Sequence, residues 1–108
     1  MRASEPMAPP LVTSPAGRRA ELERFEAQVA EWTALIGQYR ASARRGEPRT
    51  WLELDRIIDE LQRCRNEASA RVVRLKGAAG SEWEHEKVGL EQTWKAVWSS
   101  FRKAQARF

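Results

Sequence analysis

One apolar seam constrains this chain more than any other feature. Between Ser81 and Phe108 the residues Trp83, Leu90, Trp94, Val97, Phe101, Ala104 and Phe108 recur at steps of 7, 4, 3, 4, 3 and 4, and Lys87 fills the slot that the first step skips. Steps of three and four keep side chains on one side of an α-helix, which turns once every 3.6 residues. A strand alternates its faces every second residue and would scatter this set over both. A helix carrying so many large apolar groups along one side needs partners to cover them.

Two further stretches supply those partners. In the first, Leu22, Phe25, Val29, Trp32, Ile36, Tyr39 and Ala43 alternate by three and four without a break, and Leu35 widens the face beside Ile36. Ser14 with Pro15 predicts the start of this helix. Arg44, Arg45, Gly46 and Pro48 predict its end, since cations suit the negative end of the helix dipole and Gly and Pro stop it. Gly37, just after Ile36, is expected to let a neighbouring helix approach closely. In the second stretch the seam is Trp51, Leu54, Ile58, Leu61, Arg65, Ala68, Val72 and Leu75. Thr50 and Glu53 have the spacing of a capping box. Arg65 interrupts this seam, and Ile57 and Cys64 flank it.

The segment Lys76-Gly-Ala-Ala-Gly-Ser-Glu82 decides the topology. Gly77 and Gly80 can end one helix, and Ser81 with Glu84 has the spacing of a second capping box. A reversal at 77–81 gives helices at about 15–45, 49–76 and 81–107. Ala78 and Ala79 leave open the alternative of a single bent helix over 50–107. The expected fold is therefore all-α: an antiparallel three-helix bundle, or a long helical hairpin, with coiled-coil-like packing. It occupies residues 14–108, after a tail at 1–13 whose Pro6, Pro9 and Pro10 predict disorder.

Composition agrees with this reading and excludes several others. Of 108 residues, 42% are hydrophobic, enough for one small core, and 31% are charged, as long solvated helices require. The net charge of +4 is spread along the chain and is not gathered in a basic arm. A single cysteine, Cys64, excludes an intrachain disulfide. The first residues hold no apolar signal region, and no apolar run approaches the roughly 18 residues of a membrane span. A cytoplasmic protein is the expectation.

No pattern of catalysis emerges. His85 is the only histidine, and with Glu82 and Glu86 it lacks the further ligands of a metal site. Gly77-Ala-Ala-Gly80 lacks the Lys-Ser/Thr of a phosphate loop. Arg56, Arg63, Arg71 and Arg74 could meet phosphates, but Asp55, Asp59, Glu60 and Glu67 are interleaved with them, which disfavours nucleic acid as a partner. Cys64, beside a seam, is expected to be a small buried hydrophobe. Were Arg63 and Arg65 to face it, they would lower its pKa and make it reactive. The expectation is a non-enzymatic protein with no cofactor or metal.

Partner binding is the remaining class. After Glu91 the chain has no acid, and Trp94, Lys95, Trp98, Phe101, Arg102 and Lys103 combine aromatic and basic groups on one helix. That combination suits an anionic membrane surface or a partner protein. The same aromatics equally suit a core. Open seams also allow pairing into a homo-oligomer, in which Arg65 would reach a carboxylate of another copy.

The pattern Trp83-x6-Leu90-x3-Trp94-x3-Trp98-x2-Phe101-x2-Ala104-x2-Arg107-Phe108 resembles the ending AWxxLKxGxxxAWxxLxxAFxxAxxRF of small bacterial coiled-coil proteins of a stress-response family. Lys87 and Gly89 match its KxG. Residues 23–32, ERFEAQVAEW, are similar to the family's LxAQLxEW. The likeness covers about residues 18–108. Trp98 stands where the family has leucine, and the glycines at 77–81 and the Pro-rich start are additions. The resemblance implies a non-enzymatic, stress-associated helical protein and carries no catalytic or ligand residue. Secreted helical hairpins with Trp-x-Gly at their turn are similar in size, but this chain has Arg44-Arg45-Gly46 there.

Overall fold

The computed structural model describes residues 14–108, so the expected disordered tail at 1–13 lies outside the described residues. Three helices follow one another: α1 Pro15–Arg45, α2 Pro48–Gly77 and α3 Ser81–Gln105. The connections, Gly46-Glu47 and Ala78-Ala79-Gly80, are short enough to force antiparallel neighbours. The protein is thus an all-α three-helix bundle. Its Cα atoms extend over 63 × 30 × 17 Å.

The helix starts follow proline and glycine more than the expected capping boxes. At α1 the Ser14 hydroxyl accepts the Gly17 N–H at 3.0 Å, with Pro15 behind it, as the sequence predicts. At α2 the helix begins earlier than a Thr50 cap would place it. Pro48 presets a helical φ, so Glu47 becomes the cap and Thr50 falls inside the first turn. The Thr50 hydroxyl then donates back to the Glu47 carbonyl at 2.7 Å. Glu53, released from capping, binds Arg107 of the C-terminal turn. That guanidinium holds the Glu53 carboxyl below the usual carboxylate range. At α3 the cap is Gly80, and neither Ser81 nor Glu84 makes a side-chain cap bond. Gly80 has φ 59° and ψ −132°, a conformation that a side chain would strain. This reversal excludes the single bent helix over 50–107. α3 ends at Gln105, and residues 106–108 form a turn.

α2 is the middle layer. Each neighbour packs on it, while among the described residues no Cα of α1 comes within 8 Å of one of α3. The buried row of α2, Ile58, Leu61, Cys64, Ala68, Val72 and Leu75, is aliphatic and small only at Cys64 and Ala68. Ala68 is fully enclosed, and small groups there let two helices approach one backbone. α1 and α3 carry the aromatics, which hold these two helices apart and fill the space between them.

The expectation of a close approach at Gly37 is corrected. Gly37 is exposed, and nothing lies near the place of its missing Cβ. The close approach is at Gly89, where a Cβ would stand 2.8 Å from a guanidinium nitrogen of Arg71 on α2. Arg65, which breaks the α2 seam, is used within the chain. Its Nε donates to the Thr33 hydroxyl of α1 at 2.9 Å, and a second nitrogen donates to the Asn66 side chain at 3.0 Å. Lys87, in the skipped slot of α3, pairs with Glu21 of α1 at 3.0 Å, with both side chains largely enclosed.

Tryptophans close both ends of the bundle. The Trp51 indole N–H donates to the Gly46 carbonyl at 3.2 Å, with the Arg44 guanidinium 4.8 Å above its ring. At the other end Arg18 lies 5.0 Å over buried Trp83 and donates to the Gly80 carbonyl at 3.3 Å. Each turn is thereby tied to a helix by a cation–π contact, worth roughly 0.5–2 kcal/mol depending on exposure.

Candidate interaction face

Between α1 and α3 the aromatics form a ladder. Phe25 meets Trp94 edge-on at 4.9 Å, Trp94 tilts against Trp32 at 4.8 Å, and Trp32 stacks on Phe101 at 5.3 Å. Tyr39 stacks on Phe108 at 4.4 Å near the end of the rod. Rings at such separations attract beyond their area burial, by roughly 0.5–1.5 kcal/mol per pair. Because only side chains bridge the gap, the outer side of the ladder is left partly uncovered.

That uncovered side is a trough. One section, of about 590 Å³, has Phe25 and Trp94 as its floor and Val88, Glu91, Lys95 and Trp98 along its α3 rim. A second section, of about 220 Å³, runs on past Trp32, Leu35, Tyr39 and Phe101, with Gln28 and Glu31 on its α1 side. Trp98 belongs to both. It is 50% exposed and Val88 is 55% exposed, a large apolar area for two positions on one helix edge.

The six residues singled out on α3 divide into two groups. Phe101 is buried, and Trp94 is half-buried within the ladder, so both serve the core. Trp98, Lys95, Arg102 and Lys103 are exposed and lie together. Arg102 places its guanidinium 5.8 Å from the Trp98 ring centre. The sequence reading missed Val88 and the α1 rim. Val88 lies off the inner seam, and only a search for a second row on α3 finds it. The α1 rim consists of Gln28 and Glu31, which no pattern within one helix marks.

Cys64 is buried and sits 3.7 Å from the Ser100 hydroxyl on α3. Burial pushes its thiol upward from the ordinary value, and the Ser100 hydrogen bond offsets this only in part. Arg63 does reach the sulfur, at 3.7 Å, but it is paired with Glu60, whose carboxylate lies 3.6 Å from the thiol and opposes its ionisation, while Arg65 turns to Thr33. Cys64 is the small buried group the sequence leads one to expect, and the alternative of an arginine-activated thiol is set aside. The stability this neutral thiol contributes is present below the unfolded-state pKa and is lost as pH rises through the raised folded value. Native chain is expected to react with iodoacetamide many-fold more slowly than urea-unfolded chain at the same pH. Equal rates, read by mass spectrometry, would show that the thiol is open.

His85 is exposed, and among the described residues no group of three His, Cys, Asp or Glu side chains could hold a metal ion. No described helix is long and apolar enough to cross a membrane. No family model, curated protein or solved structure matches the chain.

Proposed function

We propose that this chain is a non-catalytic helical interaction protein that engages a polypeptide through the open face between α1 and α3. The observation that carries this reading is the aromatic-floored trough, uncovered by the chain's own helices, with Trp98 and Val88 exposed on its rim. Apolar surface held in water at that scale is relieved when a partner covers it. An apolar floor with a charged rim is what an amphipathic helix would cover. The resemblance to stress-response coiled-coil proteins supports placing this interaction in a stress response.

A photoreactive residue at Gln92, on the trough, is expected to cross-link to polypeptide in cells. The same residue at Arg74, exposed on α2, is expected to give little. Absence of adducts at Gln92, with and without heat or oxidative stress, would end this reading.

A second reading is peripheral attachment to anionic lipid. It is favoured by the basic ring of Lys95, Arg102 and Lys103 around exposed Trp98. Against it, Trp94 and Phe101 belong to the core, so Trp98 is the aromatic of this set left free to enter a lipid surface. Tryptophan emission is expected to stay unmoved when anionic vesicles are added at low salt. A blue shift that high salt reverses would make the membrane reading the right one.

A further inference from the structure

The outer edge of α3 carries a second row at steps of four and three: Glu84, Val88, Glu91, Lys95, Trp98 and Arg102. At 100° per residue these positions fall within an arc of about 80°. All six are exposed, and four of them rim the larger section of the trough. The row changes sign along its length, and so does the helix. Residues 81–91 hold four acids (Glu82, Glu84, Glu86, Glu91) against Lys87, a net −3. Residues 92–108 hold Lys95, Arg102, Lys103 and Arg107 with no acid, a net +4.

A helix polarised in this way repels a parallel copy and attracts an antiparallel one. A two-fold axis at the level of residue 93 makes positions equally distant from it face each other. Val88 then lies opposite Trp98, Glu91 opposite Lys95, and Glu84 opposite Arg102. Each pair occurs twice, as two-fold symmetry requires. Every member of the row finds a complementary group in this one register. Moving the axis to residue 95 sets Lys95 against its own copy and leaves Val88 against Arg102.

We propose that two copies of this chain pair through the outer row of α3, antiparallel and centred near residue 93. Apolar Val88–Trp98 contacts flank a central pair of Glu91–Lys95 bridges. The trough beside Val88, floored by Phe25 and Trp94, seats Trp98 of the second copy. This proposal deepens the interaction reading by naming the partner as a second copy.

The test is sedimentation equilibrium of the full chain at micromolar concentrations, with helicity followed by circular dichroism. The wild type is expected to be a dimer that weakens as salt rises. Lys95→Glu and Glu91→Lys are each expected to raise the dimer dissociation constant by about tenfold or more, because like charges then meet. The double variant Glu91→Lys/Lys95→Glu is expected to restore the affinity to within a few-fold of wild type. Trp98→Glu is expected to leave a helical monomer. If it loses helicity instead, the charge swap decides, since Glu91 and Lys95 are exposed.

A wild-type monomer would overturn the proposal, as would a dimer indifferent to Trp98→Glu and to the single swaps. A double variant no tighter than either single one would also overturn it. A monomer that co-sediments with phosphatidylserine vesicles would assign the face to lipid. A monomer that still cross-links to another polypeptide from Gln92 would sink self-pairing and leave the interaction reading standing.

Discussion

Trp32→Ala is expected to destabilise the bundle by about 3–5 kcal/mol, the range for truncating a large buried aromatic. Trp32 is 3% exposed and touches two rungs of the ladder, Trp94 at 4.8 Å and Phe101 at 5.3 Å. Backbones cannot close the gap it leaves, because α1 and α3 stand more than 8 Å apart throughout. The cavity therefore persists, and the loss exceeds the transfer free energy of the side chain alone. Urea unfolding followed by circular dichroism measures the effect. Trp32→Phe should recover part of it, since a ring can still stack on Phe101. A loss under about 1 kcal/mol for Trp32→Ala would mean that α1 and α3 are held by α2 alone. The substitution should not add simply to Trp94→Ala, because the two rings share contacts.

Lys87→Met is expected to cost about 2 kcal/mol, somewhat below the ~3–5 kcal/mol of a fully enclosed pair. Lys87 lies in a seam slot where an apolar residue would ordinarily sit. It survives there because Glu21 stands 3.0 Å away, with the side chains only 17% and 16% exposed. Removing the ammonium leaves the Glu21 carboxylate enclosed without its counter-charge. The double variant Glu21→Leu/Lys87→Met should recover most of the loss, since an apolar pair of similar volume avoids the desolvation of both charges. A double-mutant cycle in urea reads the coupling. If Lys87→Met alone is neutral, solvent reaches Glu21 more freely than its burial implies.

The inner seams of all three helices were largely legible, though Cys64 and not Arg65 fills the α2 seam and Thr93 was missed. Val29, Trp32, Ile36, Ile58, Leu61, Val72, Leu75, Leu90 and Val97 are buried where three-and-four spacing places them. The break at 77–81 was the favoured reading, since two glycines in four residues weaken a helix that alanine alone would continue, but a single bent helix stayed open until the positive φ of Gly80 closed it. The starts of α2 and α3 fall where the sequence places them, at Pro48 and Ser81, but the caps were misread. A capping box is a local pattern, and at Thr50 the proline two residues before it fixed the helix start instead. Gly37 and Gly89 look alike in sequence, and only Arg71 arriving from α2 distinguishes them. The candidate face was half legible. Trp98 and its basic neighbours could be named, and the seam spacing already sets Trp98 apart from Trp94 and Phe101, but that the space beside it stays uncovered depends on α1.

The sequence by itself determined that this chain is all-α, that a helix ends near Arg45 and a break is favoured at 77–81, and which side of each helix turns inward; the structure settled that the break is a full reversal. Those properties depend on backbone propensity and on side chains a turn apart, and both are written in neighbouring residues. Only the tertiary structure decided that α2 is the middle layer and that α1 and α3 meet through rings and not through backbones. Only it decided that Lys87 and Arg65 have partners across the bundle, and that Trp98 and Val88 remain exposed. Each of these depends on the distance between helices, which is set by how the side chains of all three, aliphatic on α2 and aromatic on α1 and α3, fit together at once.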